Sequence, residues 1–279
     1  MIIDFHTHVF PPGVIAERDR YVMADATFNE LYADPSKKLA TADQLLSSME
    51  EAGIDVSVLL AFAWSDPAHC REHNDYLLEA AAASRGRLIP FCTVQPRCED
   101  GALMEIERCV RAGARGLGEL RPANQGYDLE GREGELLARA ALHYDLSLLF
   151  HVSEPVGHAY PGKRGLPLAA FYDFVQRWPD VKTVAAHWGG GLPFYSLMPS
   201  ARPALSNTLF DTAASSLLYS SDIYGTGLKL AGAERVLFGS DFPLLSQTAS
   251  RRQIEAAGLD PAHLPLVLGE NARRRLQLP

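Results

Sequence analysis

Short runs rich in Val, Ile, Leu and Phe alternate along the whole chain with longer amphipathic runs, and this alternation restricts the fold more than any other feature. Eight candidate strands stand out, over residues 2–9, 56–62, 88–94, 115–120, 146–152, 181–188, 208–212 and 236–241. Most are continuous apolar runs, as expected for strands covered on both faces. Helical patterns fill the gaps. Thr41-Ala42-Asp43-Gln44 reads as a capping box opening a helix to about Ala52, with Gly53 closing it. Further helices are predicted over 74–84, 101–112, 133–144, 168–178, 216–231, 251–257 and 270–276. Gly86, Gly113 and Gly232 stand just past helix ends, and Pro179 acts as a stop.

Eight strands, each followed by a helix, within 279 residues predict an α/β fold, a single (β/α)8 TIM barrel spanning residues 1–279 as one domain. An open doubly wound sheet is the alternative. It would want G-x-G-x-x-G after the first strand, where this chain reads His6-Thr7-His8-Val9-Phe10-Pro11-Pro12-Gly13. Residues 10–40 are long for a βα connection and are expected to form a lid or rim over the barrel mouth.

Composition narrows the function classes. Lys and Arg number 26 against 34 Asp and Glu, a net charge of −8, so no nucleic-acid partner is expected. No apolar run approaches the roughly 18 residues of a membrane span. Met1-Ile2-Ile3-Asp4 lacks the basic and apolar regions of a signal peptide, and Cys70, Cys92, Cys98 and Cys109 form no CxxC pair. A reduced, cytoplasmic setting is the expectation.

Barrel chemistry sits at the C-terminal strand ends. There the chain places His6 and His8, then Glu119 and Arg121, His151, His187, and finally Asp241. A lone His at a strand end is unremarkable; four with two carboxylates are not. Strand alternation puts His6 and His8 on one face, so two imidazoles converge on one point. Neutral imidazole with carboxylate suits zinc, manganese or iron. Asp4 lies deeper on that face and reads as a buried structural carboxylate.

This set, H-x-H, Glu, His, His, Asp on strands one, four, five, six and eight, resembles the amidohydrolase superfamily. It is closest to the amidohydrolase-related branch that includes aminocarboxymuconate-semialdehyde decarboxylase, resorcylate decarboxylases and pyrone-dicarboxylate lactonases. Asn74-Asp75-Tyr76-Leu77, Gly86-Arg87-Leu88-Ile89-Pro90, Phe238-Gly239-Ser240-Asp241-Phe242-Pro243 and Gly269-Glu270-Asn271-Ala272 carry the same resemblance. No lysine ends strand four. Glu119 stands there, similar to the bridging glutamate of TatD-type nucleases; the other reading of Glu119 is a carboxylate that hydrogen-bonds a ligand histidine.

The resemblance implies one or two divalent ions, with zinc first and manganese second. With two, His6, His8 and Asp241 hold one, His151 and His187 the other, and Glu119 bridges. With one, His6, His8, His151 and Asp241 bind it and His187 becomes the acid/base or an electrophilic donor. Asp241, His187 and Glu119 are the expected catalytic residues. The reaction expected first is hydrolysis of a small amide, lactone or ester by a metal-activated water. The alternative is non-oxidative decarboxylation of an aromatic or unsaturated acid. A metal-free barrel and a TatD-like phosphoesterase are further readings. A small, anionic substrate is expected, with Arg121 placed to take a carboxylate or phosphate, Lys163 and Arg164 weaker candidates, and Trp64, Tyr160 and Trp188 available as walls. The sequence leaves room for a homo-oligomer.

Overall fold

The apolar runs fold as short parallel strands. The computed structural model describes residues 1–163 and 165–279. Eight of its strands make the barrel: β1 (Ile3–His8), β2 (Val56–Leu60), β3 (Leu88–Cys92), β4 (Gly116–Leu120), β5 (Ser147–Phe150), β6 (Lys182–Ala185), β7 (Thr208–Asp211) and β8 (Val236–Leu237). They lie side by side in chain order, every pair parallel. Closure comes from Phe5 N–H to Phe238 O at 2.8 Å, Asp241 N–H to His6 O at 2.9 Å and His8 N–H to Phe242 O at 2.7 Å. The fold is a single (β/α)8 TIM barrel.

Two apolar layers hold it. Phe5, Val58, Leu60, Phe91 and Val184 fill the barrel interior, and a larger layer packs the helices on the outside of the strands. Phe5 is fully buried edge-on to Phe91; truncating such a ring costs about 3–5 kcal/mol. Asp4 is fully buried, as expected of a structural carboxylate, but the register shift after it in β1 turns it toward Gln247 of the helix Gln247–Glu255 rather than onto the face of His6 and His8. It accepts from Ser240 N and Oγ, from Gln247 Nε2 and from His6 N. It ties the start of β1 to the chain beyond β8. Burial pushes its pKa up to about 6 against those four donors.

Several stretches differ from the sequence expectation. The helix expected from residue 74 begins at Pro67 and runs Pro67–Ala83, with Asp66 capping Ala68 N at 2.7 Å; Asp-Pro is itself a start signal. Residues 10–40 fold as three short helices, Pro12–Ala16, Arg18–Ala24 and Ala26–Tyr32. Their Phe10, Tyr21 and Phe28 pack with Phe62 and Trp64 into a third apolar core, so the segment is a built rim. Asp25 caps this rim and pins it, accepting from Thr27, Phe28 and Ser65 backbone N–H at 2.9 Å each.

The strand expected over 236–241 pairs only through Val236 and Leu237 with β7. Its direction does not persist through the aspartate. Asp241 adopts φ +66°, and pairing resumes beyond it in a bridge between Thr7 and Phe242. Similarly, β6 stops at Ala185, and His187 and Trp188 adopt φ +57° and +58°. Non-glycine residues in this region are strained and concentrate where a side chain must be aimed.

Candidate metal centre and substrate cavity

The register of β1 against β2 shifts between Asp4 and Thr7, so that His6 and His8 turn inward above Phe5, with their Nε2 atoms 3.1 Å apart. Each ring is held from behind. His6 Nδ1–H donates to Asp211 Oδ2 at 2.8 Å and His8 Nδ1–H to the Leu60 carbonyl at 3.2 Å. His187, aimed by the left-handed turn after β6, donates Nδ1–H to Ala213 O at 3.2 Å. His151, just beyond β5, donates Nε2–H to Gly162 O at 3.0 Å. With these tautomers assigned, every ring presents its remaining nitrogen to the barrel interior.

Two carboxylates complete the cluster. Glu119 Oε1 lies 2.9 Å from His151 Nδ1, 3.3 Å from His187 Nε2 and 3.9 Å from His6 Nε2, while Oε2 lies 3.7 Å from His8 Nε2. Asp241 Oδ1 is 3.8 Å from His6 Nε2 and 3.7 Å from His8 Nε2. The donor atoms of His6, His8 and Asp241 all lie within 4.8 Å of one another, as do those of His6, Glu119 and His187. His151 stands with the second group, 3.2 Å from His187 Nε2.

The field of the cluster divides the four histidines into two that gain a proton more readily and two that lose it. Burial opposes protonation of His6, yet Asp211, then Asp241 and Glu119, push its pKa up to about 10. His187 also moves up against burial, through its contact with Glu119. His151 falls to about 4, by burial and then the charge of Arg121. His8 falls by burial and the charge of His6. Glu119 stays well below the carboxylate range despite burial, held there by His151 and His187. The bare nitrogens of His6 and His8 at 3.1 Å repel unless a cation or proton lies against them. Imidazole nitrogen mixed with carboxylate oxygen is a donor set that zinc or manganese accepts. The residues fit a divalent ion.

Above the cluster opens a cavity of about 520 Å³. Its floor includes His8, Glu119, His151, His187 and Asp241, and its walls include Leu31, Tyr32, Phe62, Leu217, Leu218 and Leu244, with Lys37 and Lys38 also lining it. Arg121 enters from the side. It is only 3% exposed, donates Nη2–H to Gly162 O at 2.6 Å, and has no partner for Nε.

The two tryptophan candidates fall elsewhere. Trp64 is buried in the rim core, donating Nε1–H to His73 Nδ1 at 3.0 Å, and does not line the cavity. Trp188 is buried too, donating to Ser215 Oγ at 2.8 Å beside Gly227, away from the cavity. Tyr160 does line the cavity, its hydroxyl donating to Glu154 at 2.8 Å. Lys163 spends its ammonium on the Val156 and His158 carbonyls. Arg164 lies outside the described residues. The free cysteines Cys70, Cys92 and Cys109 are buried and Cys98 is exposed.

Sequence reasoning missed Asp211. Its signal was present, a single carboxylate closing the apolar run Thr208-Leu209-Phe210. Besides His6, it accepts from His187 N at 2.8 Å and Ala213 N at 3.1 Å. It also missed Tyr32, whose place in the cavity wall depends on how the rim folds.

A family model described as amidohydrolase matches residues 3–278. No curated protein matches the chain. Among solved structures, the 5-carboxyvanillate decarboxylase of Novosphingobium aromaticivorans, complexed with manganese and a nitrobenzoic acid, superposes with TM-score 0.82 at 17% identity, covering 100% of this chain and 96% of that one. The 2,6-dihydroxybenzoate decarboxylase of Rhizobium gives TM-score 0.74 at 16% identity, covering 99% and 98%. A putative amidohydrolase of Staphylococcus aureus gives 0.72 at 18%, covering 99% of each chain. No helix among the described residues is long and apolar enough to cross a membrane.

Proposed function

The chain belongs to the amidohydrolase family, and from that premise we propose that it is a metal-dependent decarboxylase of small aromatic or unsaturated carboxylic acids. One observation carries the reading: a convergent imidazole–carboxylate cluster forms the floor of a cavity whose walls are largely apolar and, among the described lining residues, whose one buried Lys or Arg is Arg121. Such a cavity takes a flat apolar acid better than a peptide-like amide. The fold-level likeness to two decarboxylases, one holding manganese, supports it. This displaces the hydrolysis expected first from the sequence.

His6, His8 and Asp241 would hold a divalent ion, manganese or zinc, with His151 and Glu119 beside it. When bound, the ion supplies Lewis-acid polarisation of a substrate oxygen. The apolar wall of Leu31, Tyr32 and Phe62 keeps the ring dry and in plane. His187 holds a proton at Nε2 against Glu119 and hands it to the ring carbon as the carbon–carboxylate bond breaks. The bond's electron pair stays on that carbon and takes up the proton, and the carboxylate departs as CO2.

A specific observation favours hydrolysis as a second reading. Glu119 turns Oε1 to His151 and His187 and Oε2 to His8, the disposition of a carboxylate shared by two ions. The test is a panel of aromatic acids, lactones and amides against manganese- and zinc-loaded protein, with CO2 release, hydrolysis and metal equivalents measured together. CO2 release that stops with chelator is the expected result. Hydrolysis without CO2, at two ions per chain, would replace it.

A further inference from the structure

Four imidazoles meet at the barrel mouth, and three of them are held by the barrel itself. His6 leans on Asp211 at the end of β7, His8 on the carbonyl of Leu60 at the end of β2, and His187 on the carbonyl of Ala213 just beyond β7. His151 differs. Its Nε2–H donates at 3.0 Å to the carbonyl of Gly162, far along the connection that follows β5, a loop whose residues 155–159 are exposed. The tautomer that leaves Nδ1 to the cluster, 2.9 Å from Glu119 Oε1, therefore depends on where that loop rests.

The loop is fastened at its base and within itself. Val152–Ser153 pairs with Leu166–Pro167, and Lys163 Nζ donates to the Val156 and His158 carbonyls at 2.6 and 2.8 Å. Its tip meets the rim. Gly162 N–H donates to Glu30 Oε1 at 2.9 Å, the one hydrogen bond between residues 10–40 and 154–163 among the described residues. Leu31 closes on the same glycine: Gly162 sits at φ +90°, and a Cβ there would stand 2.8 Å from Leu31 Cδ2. Only glycine both takes that conformation at little cost and leaves room for the leucine. Strands β1 and β5 lie opposite one another in the eight-stranded barrel. A contact between the segments that follow them thus spans the mouth. A carboxylate accepting from a backbone N–H makes the stronger, charge-assisted kind of bond. Glu30 fixes the tip through that N–H, and the carbonyl of the same glycine meets His151 Nε2.

We propose that Glu30 is a positioning residue for the metal centre: by seating Gly162 against the rim, it keeps the Gly162 carbonyl on His151 and Nδ1 of that ring free for the ion. The proposal rests on the metal dependence of the reading above and not on its reaction. Glu30 is exposed and does not line the cavity, so it acts only through the loop. With the tip released, Nε2–H loses its acceptor. Glu119 then draws the imidazole proton to Nδ1, where it stands in the way of the ion.

The test is calorimetric titration of manganese into full-length native protein, Glu30→Ala, Glu30→Gln, His151→Asn and the double variant Glu30→Ala/His151→Asn, each stripped of metal with chelator. Affinity is expected to fall about 3–10-fold in Glu30→Ala, short of the roughly 10–100-fold that follows loss of a ligand's own partner. Glu30→Gln keeps an accepting oxygen and should stay near native. In the His151→Asn background, where His6, His8 and Asp241 remain as donors, Glu30→Ala should cost nothing further, because the two residues act in series. Thermal melting of Glu30→Ala should match the native protein, as an exposed position implies. Native affinity in Glu30→Ala, or the same fall repeated in the His151→Asn background, overturns the proposal while the metal reading stands. Native protein that takes up no manganese removes the metal reading and the proposal with it.

Discussion

His6 Nδ1 and Asp211 Oδ2 lie 2.8 Å apart, both side chains fully buried, at the ends of strands that are not neighbours in the barrel. This contact fixes which nitrogen of His6 faces the cavity. The other oxygen of Asp211 takes the backbone N–H of His187. One carboxylate therefore sets the tautomer of one imidazole and the seat of another.

Asp211→Asn should weaken metal binding by roughly 10–100-fold, the usual cost of losing such a support. An amide turned toward His6 donates to Nδ1 and drives the proton to Nε2, where it blocks the ion. Manganese or zinc titration of the variant measures this. Unchanged affinity would mean that the tautomer of His6 is set elsewhere.

Glu119→Gln removes the charge that His151 and His187 share. Metal affinity is expected to fall at least as far as in Asp211→Asn, because an amide is a poorer ligand and a poorer acceptor. Metal equivalents add a second readout. Loss of about one equivalent from an initial two identifies a bridging carboxylate; a centre that starts with one identifies a support for His151 and His187. Full occupancy with native affinity and turnover would remove Glu119 from the centre.

The barrel was legible in the sequence because strands buried on both faces must be continuous apolar runs, and eight such runs are plain to count. His6, His8, Glu119, His151, His187 and Asp241 were legible because their strand-end positions put charged and imidazole groups where an apolar strand has no use for them. Trp64 and Trp188 show the limit of that reasoning. Both stand near strand ends, but the left-handed turn at Trp188 and the rim packed over Trp64 bury them. Such turns are set by tertiary contacts, as with Asp4 capturing Ser240 before Asp241. The rim itself was visible only as a long connection, since its short helices are stabilised by aromatic packing on Phe62 and Trp64 rather than by their own periodicity.

His73 gives a pH dependence of stability. It is buried, with Nε2–H on Val9 O at 2.7 Å and Nδ1 accepting from Trp64 Nε1 and Phe62 N. Burial lowers its pKa from 6.5 to about 4. Between those values the unfolded chain takes up a proton that the native state refuses. Stability contributed by neutral His73 is thus complete above pH about 6.5 and is lost as pH falls toward 4, by about 3 kcal/mol in all. Urea unfolding of native protein and His73→Gln at pH 7 and 4.5 should show a smaller acid loss in the variant. Equal losses would assign the acid sensitivity to other groups.

Asp241 is the position at which the chain accepts backbone strain to place a side chain. Its φ of +66° bends the segment after β8, while its N–H stays on His6 O at 2.9 Å, so the carboxylate is carried across the mouth toward His6 and His8. Oδ1 stands within 3.8 Å of both Nε2 atoms, and the residue is 8% exposed. A carboxylate at that depth needs a positive partner, and the ion that His6 and His8 fit is such a partner. Asp241→Asn preserves size and one ligand oxygen and removes the charge and the ability to take or return a proton. The variant is expected to fold, to retain much of its metal, and to lose roughly 10²–10⁴ in kcat, the range for a positioned acid/base. Metal content, thermal melting and kcat on the acid found in the panel test this together. Native turnover in the variant would remove the Asp241 carboxylate from the proton path and leave that path to His187, for which His187→Asn is expected to cost a similar loss in either case.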